Sequence, residues 1–412
     1  MRPSLRLAIA ASLSAVAFLN ATASADEPAP FELRHGDRVV LIGSTLIERA
    51  ESFGYIETAL SSRYPRRNIL FRNLGWSGDT VFGDARAGFD NAEKGYERLV
   101  EHVLALEPTM IVVGYGTNES FEGAEGLPRF KAGLNRLLDS LAPAKARLVF
   151  LSPLKQEDLG RPLPDPAPHN RQLELYCDAL RETAAARGGI YVDLFNNLGS
   201  GPEAALPGPL TDNGLHLTGY GYWRASATLA RLLGLPENSW RVELARDGQG
   251  VQAKGTSVSH VEAAETTLKF RIEDERLPTP LAPADGPYRG GLSNNERVLV
   301  VKGLPEGNYQ LQIDGQRVAA APAAKWDAGV AIEAGPEFDQ VEALRRAIVH
   351  KNELYFYRWR PQNETYLFGF RKHEQGNNAR EIPLFDPLVS VAESGLAGLR
   401  LPAPHDYVLM PE

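Results

Sequence analysis

The sequence predicts an α/β domain built on a parallel sheet, followed by a smaller β-rich domain with a helical arm. Three observations lead to this prediction. Short apolar runs alternate with amphipathic stretches from residue 38 to about 235, a period of two follows residue 240, and a strongly helical stretch lies near 337–358. A chain of 412 residues has room for both domains.

The first domain is predicted from strands that are apolar along their whole length. Such strands are typical of a parallel sheet that is covered on both faces, and the amphipathic stretches between them supply the covering helices. The predicted strands are 38–43, 68–74, 109–116, 146–153 and 189–195, and the predicted helices are 46–63, 90–106, 127–142, 170–187 and 219–233.

The second domain is predicted from alternating apolar and polar residues over 241–330, which indicate a small antiparallel β structure. Asp314-Gly315 is a hairpin turn signal within it. The Pro- and Gly-rich stretch 278–291 is predicted to be an exposed loop. Residues 381–412 are a tail that ends in a Pro-rich stretch, without a predicted element.

The N-terminus has the pattern of a signal peptide. Arg2 and Arg6 precede an apolar stretch that is short for a bilayer span, and Ala23-Ser24-Ala25 fits a cleavage site. The predicted organisation is therefore a signal peptide at 1–25, the α/β domain at 26–240 and the accessory domain at 241–412. We expect an exported protein, periplasmic or extracellular, with no membrane span after cleavage.

Composition excludes several classes of function. The net charge of −8 and the lack of a basic run argue against a nucleic-acid partner. Cys177 is the single cysteine, so no internal disulfide can form. No Cys/His cluster has metal-ligand spacing, so we expect no metal site.

Glycine-rich or polar corners follow the predicted strands. They read Gly43-Ser44-Thr45, then "NLGWSGDT" at 73–80, "GYGTNES" at 114–120 and "TDNGLHLTGYGY" at 211–222. Ligands of parallel sheets bind at the carboxyl ends of the strands, so these corners are expected to converge on one crevice.

These four blocks, in this order over residues 36 to 235, resemble the SGNH or GDSL hydrolase family. The resemblance implies a flavodoxin-like sheet and an esterase, lipase or carbohydrate deacetylase activity. It implies that Gly78 and Asn118 form an oxyanion hole and that His216 is the catalytic base. Backbone and amide N–H groups suit a developing oxyanion, and imidazole accepts a hydroxyl proton near neutral pH.

The chain departs from the family pattern at the nucleophile corner and at the acid, so it resembles a divergent member. The family's serine aligns with Thr45 and its aspartate with Ser44, so either hydroxyl is a candidate nucleophile. The acid that orients the histidine is replaced by Asn213, with Asp212 one residue earlier. An asparagine can hold an imidazole ring but does not stabilise an imidazolium by charge.

Each of these residues also has a structural interpretation. Gly78 is compatible with a simple tight turn, and Asn118 with a helix N-cap. His216 is compatible with an ordinary loop histidine.

The aromatic and polar segment 353–379 is a candidate sugar-binding surface, with Trp359, Arg360 and Asn363 as substrate-binding residues. The alternative is that its aromatic side chains pack the accessory domain or its contact with the first domain.

The sequence therefore predicts an exported ester hydrolase that removes acetyl or similar acyl groups from a carbohydrate. Its substrate is expected to be a small-molecule or polysaccharide ester. The predicted reaction requires neither a metal nor an organic cofactor. The alternative is a non-catalytic carbohydrate-binding or scaffold protein on a decayed hydrolase fold.

Overall fold

The structure, a computed structural model, describes residues 30–200, 205–288, 297–361 and 363–412. The predicted signal peptide lies outside this part of the chain. The first domain contains a five-stranded parallel sheet in the order β2-β1-β3-β4-β5, which is the flavodoxin-like order. Its strands are β1 (Arg38–Gly43), β2 (Leu70–Asn73), β3 (Met110–Gly114), β4 (Arg147–Leu151) and β5 (Ile190–Val192).

Helices cover both faces of this sheet. Val39 and Leu41 of β1 join one apolar cluster, whereas Val40 and Ile42 join the cluster on the opposite face. The predicted α/β fold is thus confirmed. The helices are α1 (Thr45–Phe53), α2 (Tyr55–Arg63), α3 (Ala92–Leu104), α4 (Gly123–Leu141), α5 (Ala167–Ala186), α6 (Leu194–Asn197) and α7 (Gly219–Leu232).

One predicted helix is divided in two. The stretch 46–63 was expected to be continuous, but Gly54 adopts a φ of 70° and ends α1. Its N–H donates to the Ala50 carbonyl, and α2 begins at the next residue. This left-handed conformation suits glycine because it has no Cβ.

The second domain contains two sheets that share one apolar core. One has the order β13-β10-β6-β7 and the other β12-β11-β14-β9-β8. The strands are β6 (Trp240–Ala245), β7 (Gln252–Lys254), β8 (Thr256–Ala263), β9 (Leu268–Asp274), β10 (Arg297–Lys302), β11 (Asn308–Ile313), β12 (Gln316–Pro322), β13 (Val330–Ala331) and β14 (His405–Pro411).

The β-rich prediction is confirmed, with two corrections. Strands β6 and β10 pair in parallel, so the domain is not purely antiparallel. The tail, for which no element was expected, supplies β14 to the middle of the five-stranded sheet, between β11 and β9. The Asp314-Gly315 hairpin turn is present, and both residues have positive φ as this turn requires.

Helices form the arm between these strands. They are α8 (Ala323–Ala328), α9 (Pro336–Trp359), α10 (Glu364–Leu367), α11 (Lys372–Gln375) and α12 (Phe385–Arg400). Helices α9 and α12 pack together and against the first domain. The Lys351 ammonium lies 2.9 Å from the Glu57 carboxylate, and Arg345 donates to the Phe53 carbonyl oxygen at 2.7 Å.

The stretch 278–291 was expected to be exposed, and for its first residues this is wrong. Thr279 is buried and its hydroxyl accepts from Arg63, while the Pro280 carbonyl accepts from the Trp223 indole N–H at 2.8 Å. The connection between the domains therefore packs against the first one.

A single helical stretch of the described chain, Lys372–Arg400, is long and apolar enough to cross a membrane by length and composition alone. The sequence analysis identified no such segment after the N-terminus. In the structure α12 packs against α9, and most of the stretch is exposed.

Candidate active site

The Gly43 corner joins β1 to α1. Gly43 has a φ of 155°, and a Cβ there would lie 2.5 Å from the Gly114 carbonyl oxygen, so only glycine allows this approach to β3. Ser44 is the N-cap residue of α1 and is buried, but its hydroxyl caps no backbone N–H. Ser44 and Thr45 line the same cavity, so the structure keeps both as candidate nucleophiles.

The corner after β2 is fixed to the first corner by hydrogen bonds. The Asn73 amide donates to the Ile47 carbonyl at 2.6 Å, and Trp76 N–H donates to the Gly43 carbonyl at 3.0 Å. Gly78 follows with a φ of 80° in an exposed turn. Within the described residues its N–H has no acceptor, so this donor is available to a ligand.

Behind this turn lies a buried ion pair. The Asp79 carboxylate accepts from the Arg86 guanidinium at 2.7 Å and from the Tyr115 hydroxyl at 3.0 Å, and all three side chains are buried. Burial raises the pKa of Asp79 even though Arg86 opposes that shift. The pair anchors the turn, because the Asp79 backbone follows Gly78 directly.

The third corner supplies Asn118. Its amide donates to the Asp79 carbonyl at 2.7 Å, so it contacts the residue next to Gly78. Asn118 occupies the N-cap position of the short helix at Glu119–Glu122, but its side chain caps no backbone N–H. An amide nitrogen carries two hydrogens, and the second is free to serve the cavity that Asn118 lines.

Glu119 joins the second and third corners. Its two carboxylate oxygens accept from the N–H groups of Val81 and Gly116, each at 2.9 Å. Burial raises its pKa to about 7. Sequence analysis missed this residue, although a buried acid beside Asn118 is what holds the two donor loops together.

His216 lies in the loop before α7, which is held by Glu157. That carboxylate accepts from Leu210 N–H, Thr211 N–H and the Thr211 hydroxyl at 2.6–3.1 Å. Thr211 and Leu217 form an isolated antiparallel bridge across the loop. The bridge fixes where His216 enters the cavity lined by Ser44, Thr45 and Asn118.

The residue that orients His216 is Asn213. Its amide nitrogen lies 3.1 Å from His216 Nδ1. The Asp212 carboxylate contacts Arg49 instead, at 3.1 Å. The sequence leaves these two residues as alternatives, and in the structure Asn213 lies beside the ring.

The orientation of the Asn213 amide is set by two backbone bonds. Its Oδ1 accepts from Leu215 N–H at 3.0 Å and from His216 N–H at 2.9 Å, so the NH₂ group faces the imidazole. His216 Nδ1 is then the acceptor, and the proton of the neutral ring sits on Nε2. A base that takes the nucleophile's proton through Nε2 needs the opposite tautomer.

The cavity shared by these residues is small, about 70 Å³. Much of its lining was not predicted, because most of these residues belong to no motif and Tyr222, the last residue of the fourth block, has no catalytic role in the family pattern. The missed residues include Leu46, Arg49, Phe121, Leu154, Gln156 and Tyr222. Within the described residues, no group of three or more His, Cys, Asp or Glu side chains is placed to hold a metal ion.

The three residues proposed to bind substrate lie outside this cavity. The Trp359 ring packs edge-on against Trp76 at 5.9 Å, and Asn363 donates to Gln375 at 2.9 Å. Arg360 donates to Glu48 at 2.6 Å and lies 3.5 Å over the Trp76 ring. Glu48 in turn accepts from Ser77 N–H, so Arg360 contacts the Gly78 turn from behind.

Comparison with known proteins adds the following. The model of the GDSL-like lipase/acylhydrolase family matches residues 43–224. The fold of a gut microbial diltiazem-metabolizing enzyme is similar over 92% of this chain and 99% of that one, with 16% identity and a TM-score of 0.72. This similarity extends the shared fold to the C-terminal domain. No curated protein sequence matches.

Two shorter structures are similar to about half of the chain. An acetylxylan esterase from Geobacillus stearothermophilus is 18% identical, with a TM-score of 0.39, covering 50% of this chain and 98% of its own. An alpha/beta hydrolase enzyme from the metagenome of Lake Arreo is 19% identical, with a TM-score of 0.39, covering 49% and 97%.

Proposed function

Because residues 43–224 form a domain of the GDSL-like lipase/acylhydrolase family, we propose that this protein is an ester hydrolase that removes acetyl or similarly short acyl groups from a carbohydrate. The observation that carries the proposal is the shared cavity at the strand ends, which Ser44, Thr45, Asn118 and His216 all line. A hydroxyl, an amide donor and an imidazole in one cavity are the groups that acyl transfer needs.

The reaction follows from these groups. The hydroxyl oxygen of Thr45 or Ser44 attacks the carbonyl carbon of the ester. Its proton passes to His216 Nε2, which accepts it once the Asn213 amide has turned its oxygen to Nδ1 and the ring hydrogen has moved there. The carbonyl oxygen becomes an oxyanion, which Asn118 and the Gly78 N–H stabilise. The C–O bond to the alcohol then breaks, and the alcohol leaves with the proton. Water hydrolyses the acyl-enzyme by the same steps, releasing the acid.

The size of the cavity supports a short acyl group, since about 70 Å³ leaves little room beyond an acetyl. Phe121 supports the carbohydrate part of the proposal. Its ring lines the cavity, is 65% exposed and stacks on His169 at 4.2 Å. An exposed ring held flat by a second ring offers a stacking surface to the apolar face of a sugar.

Export belongs to the same proposal. The signal-peptide pattern at 1–25 supports a periplasmic or extracellular protein whose partner is a small-molecule or polysaccharide ester. The net charge of −8 gives no support to a nucleic-acid partner. The reaction as written uses no metal and no organic cofactor.

A second candidate function is binding of an acylated carbohydrate without cleavage. The contact between the Asn213 amide and His216 Nδ1 favours it, because it holds the proton on Nε2. In that state Nε2–H, the Asn118 amide and the Gly78 N–H are all donors, which suits a carbonyl or carboxylate ligand rather than deprotonation of a hydroxyl.

An acetyl-ester assay distinguishes the two functions. We expect p-nitrophenyl acetate hydrolysis by the wild type that is lost in His216→Ala and in only one of Ser44→Ala and Thr45→Ala. The variant that loses activity identifies the nucleophile. Wild-type activity in all three variants would refute the mechanism. Saturable ligand binding without hydrolysis would favour the second function.

A further inference from the structure

A second and larger cavity opens beside the first. It has a volume of about 710 Å³, against about 70 Å³ for the catalytic cavity. Leu154, Gln156 and Leu217 line both, so the two spaces meet at these side chains. We call the larger space the groove, and its far walls are residues 165–174 at the start of α5 and 194–199 around α6.

We propose that the groove holds the alcohol part of the ester, and that this alcohol is bulky, free of negative charge and apolar on one face. The inference rests on the proposed function, since it assigns the two sides of the scissile bond to two spaces. The acyl group occupies the small cavity beside Thr45, and the alcohol extends past Gln156 into the groove.

The floor of the groove is apolar. Leu194, Phe195 and Leu217 are buried there, and Leu198 and Leu210 are half-buried beside them. Pockets of a few hundred to about 1,000 Å³ with apolar lining are typical of sites for small organic ligands. The floor therefore favours a ligand that presents an apolar face of more than one ring.

The polar side chains of the groove wall largely form hydrogen bonds within the protein. The Glu157 carboxylate is occupied by the N–H groups of Leu210 and Thr211 and by the Thr211 hydroxyl. Asn170 exchanges two hydrogen bonds with the Gln156 backbone, at 2.8 and 2.9 Å. These side chains shape the wall and leave little capacity to bind a charged ligand.

Gln156 differs, because within the described residues its side-chain amide forms no hydrogen bond. It lies where the two spaces meet, so it can bond the ester or a hydroxyl next to it. The rim carries both signs of charge, with Lys155 and Arg171 against Asp158, Asp165 and Glu174. The carboxylates outnumber the cations, which disfavours a phosphate or another anionic alcohol.

The test compares two acetate esters whose alcohols differ in size but little in acidity, phenyl acetate and 2-naphthyl acetate. Ala167→Trp and Asn196→Trp fill the groove from opposite walls, at exposed positions where folding is least at risk. Ala185→Trp is the matched control, because Ala185 is exposed on α5 outside the groove.

We expect the ratio of kcat/KM for 2-naphthyl over phenyl acetate to fall about tenfold or more in both groove variants, since the second ring loses its apolar contacts, and to stay unchanged in Ala185→Trp. Unchanged ratios in two folded groove variants would overturn the proposal.

Binding of 2-naphthol to the His216→Ala variant, followed by its fluorescence, needs no catalysis. We expect saturable binding that Ala167→Trp abolishes and Ala185→Trp preserves. If the wild type hydrolyses neither ester, the proposed function fails while this result still supports the groove as a site for apolar alcohols. Binding that persists in Ala167→Trp and Asn196→Trp would overturn the groove assignment itself.

Discussion

Replacing Asn213 with aspartate is expected to raise esterase activity. In Asn213→Asp one carboxylate oxygen still accepts from Leu215 N–H and His216 N–H, as the amide oxygen does at 3.0 and 2.9 Å. The other oxygen replaces the amide nitrogen 3.1 Å from His216 Nδ1. It can only accept, so it requires the proton on Nδ1 and leaves Nε2 free to act as a base.

The expected gain in esterase activity follows from the two hydrogen bonds that the wild type must break to reach the productive tautomer of His216. To present an oxygen to Nδ1, the Asn213 amide would have to rotate and lose both backbone bonds. At about 1 kcal/mol each, this costs about 2 kcal/mol, or roughly 30-fold in the population of the productive tautomer. A carboxylate also stabilises the imidazolium. In a serine protease triad the reverse change costs about 10⁴ in kcat.

The assay is kcat/KM for p-nitrophenyl acetate, and we expect a gain between about 30-fold and 10⁴-fold. Adding His216→Ala should remove the gain. Asn135→Asp, an exposed position on α4, makes the same charge change and should give no gain. In ¹⁵N NMR spectra of the imidazole, the proton should move from Nε2 in the wild type to Nδ1 in the variant.

Two results would refute this reasoning. One is a folded Asn213→Asp variant whose activity rises less than about threefold, well below the 30-fold that the lost amide bonds predict. The other is a wild-type spectrum that already shows the proton on Nδ1, which would mean that the Asn213 amide does not set the tautomer.

Three further predictions concern the nucleophile, the arm and pH. Thr45→Ser should raise kcat up to about tenfold if Thr45 is the nucleophile, because the methyl group that restricts χ1 is removed. Arg360→Ala should lower kcat more than it changes KM and should lower Tm, because Arg360 loses the largely buried ion pair with Glu48 and its position over Trp76. Burial, with the nearby Glu48 charge, raises the pKa of Glu51 to about 8, although Arg360 and Lys351 oppose the shift. The free energy of unfolding should therefore fall between about pH 4.5 and pH 8, by at most about 5 kcal/mol. Glu51→Gln should remove this fall.

The sign of the pH effect follows from proton binding. Below pH 4.5 the Glu51 carboxyl is protonated in both states. Between pH 4.5 and 8 only the folded state holds the proton, so unfolding releases it and becomes easier as pH rises. Thermal unfolding at pH 5 and pH 8 measures this. Glu125→Gln, at an exposed position, is the control, and an equal pH dependence in Glu51→Gln would contradict the prediction.

Arg346→Ala is the control for Arg360→Ala. The Arg346 side chain is 70% exposed and its contact with Glu342 lies on the surface of α9. An Arg360→Ala variant as active and as stable as Arg346→Ala would show that the arm does not hold the Gly78 turn. For Thr45→Ser, a gain that also appears in a Ser44→Ala background would support Thr45, whereas loss of all activity in Ser44→Ala would point to Ser44.

The sheet and the convergence of the corners were predictable because they depend on local patterns. Apolar strands and helical periodicity predict the layers, and the carboxyl ends of parallel strands share one edge. This logic predicts that Thr45, Asn118 and His216 lie together, and all three line one cavity. Gly78, from the second corner, is not among its lining residues. Gly54 shows the limit, since one glycine in the left-handed conformation divides a stretch whose periodicity is continuous.

Contacts across long sequence separations were not predictable. Arg360 was interpreted as a substrate-binding residue, but it reaches Glu48, which is 312 residues away and belongs to no motif. Gln156 and Leu154 follow β4 in a loop without glycine-rich or catalytic character. The roles of these residues depend on the packing of whole elements, and one sequence carries no signal for that.

Asn213 and the loops of Gly78 and Asn118 are held in place by different contacts. Asn118 and Gly78 are held by buried groups, namely the Asp79–Arg86 pair and Glu119, which also belong to the domain core. Losing these buried groups would lower stability whatever the chemistry of the site.

Asn213 lies on an exposed loop, and its amide satisfies the same two backbone N–H groups that a carboxylate would. The loop therefore folds equally well with either residue, and position 213 is free to change the chemistry of His216 without changing the fold. This is why Asn213→Asp tests catalysis in isolation, whereas a change at Asp79 or Glu119 would test catalysis and folding together.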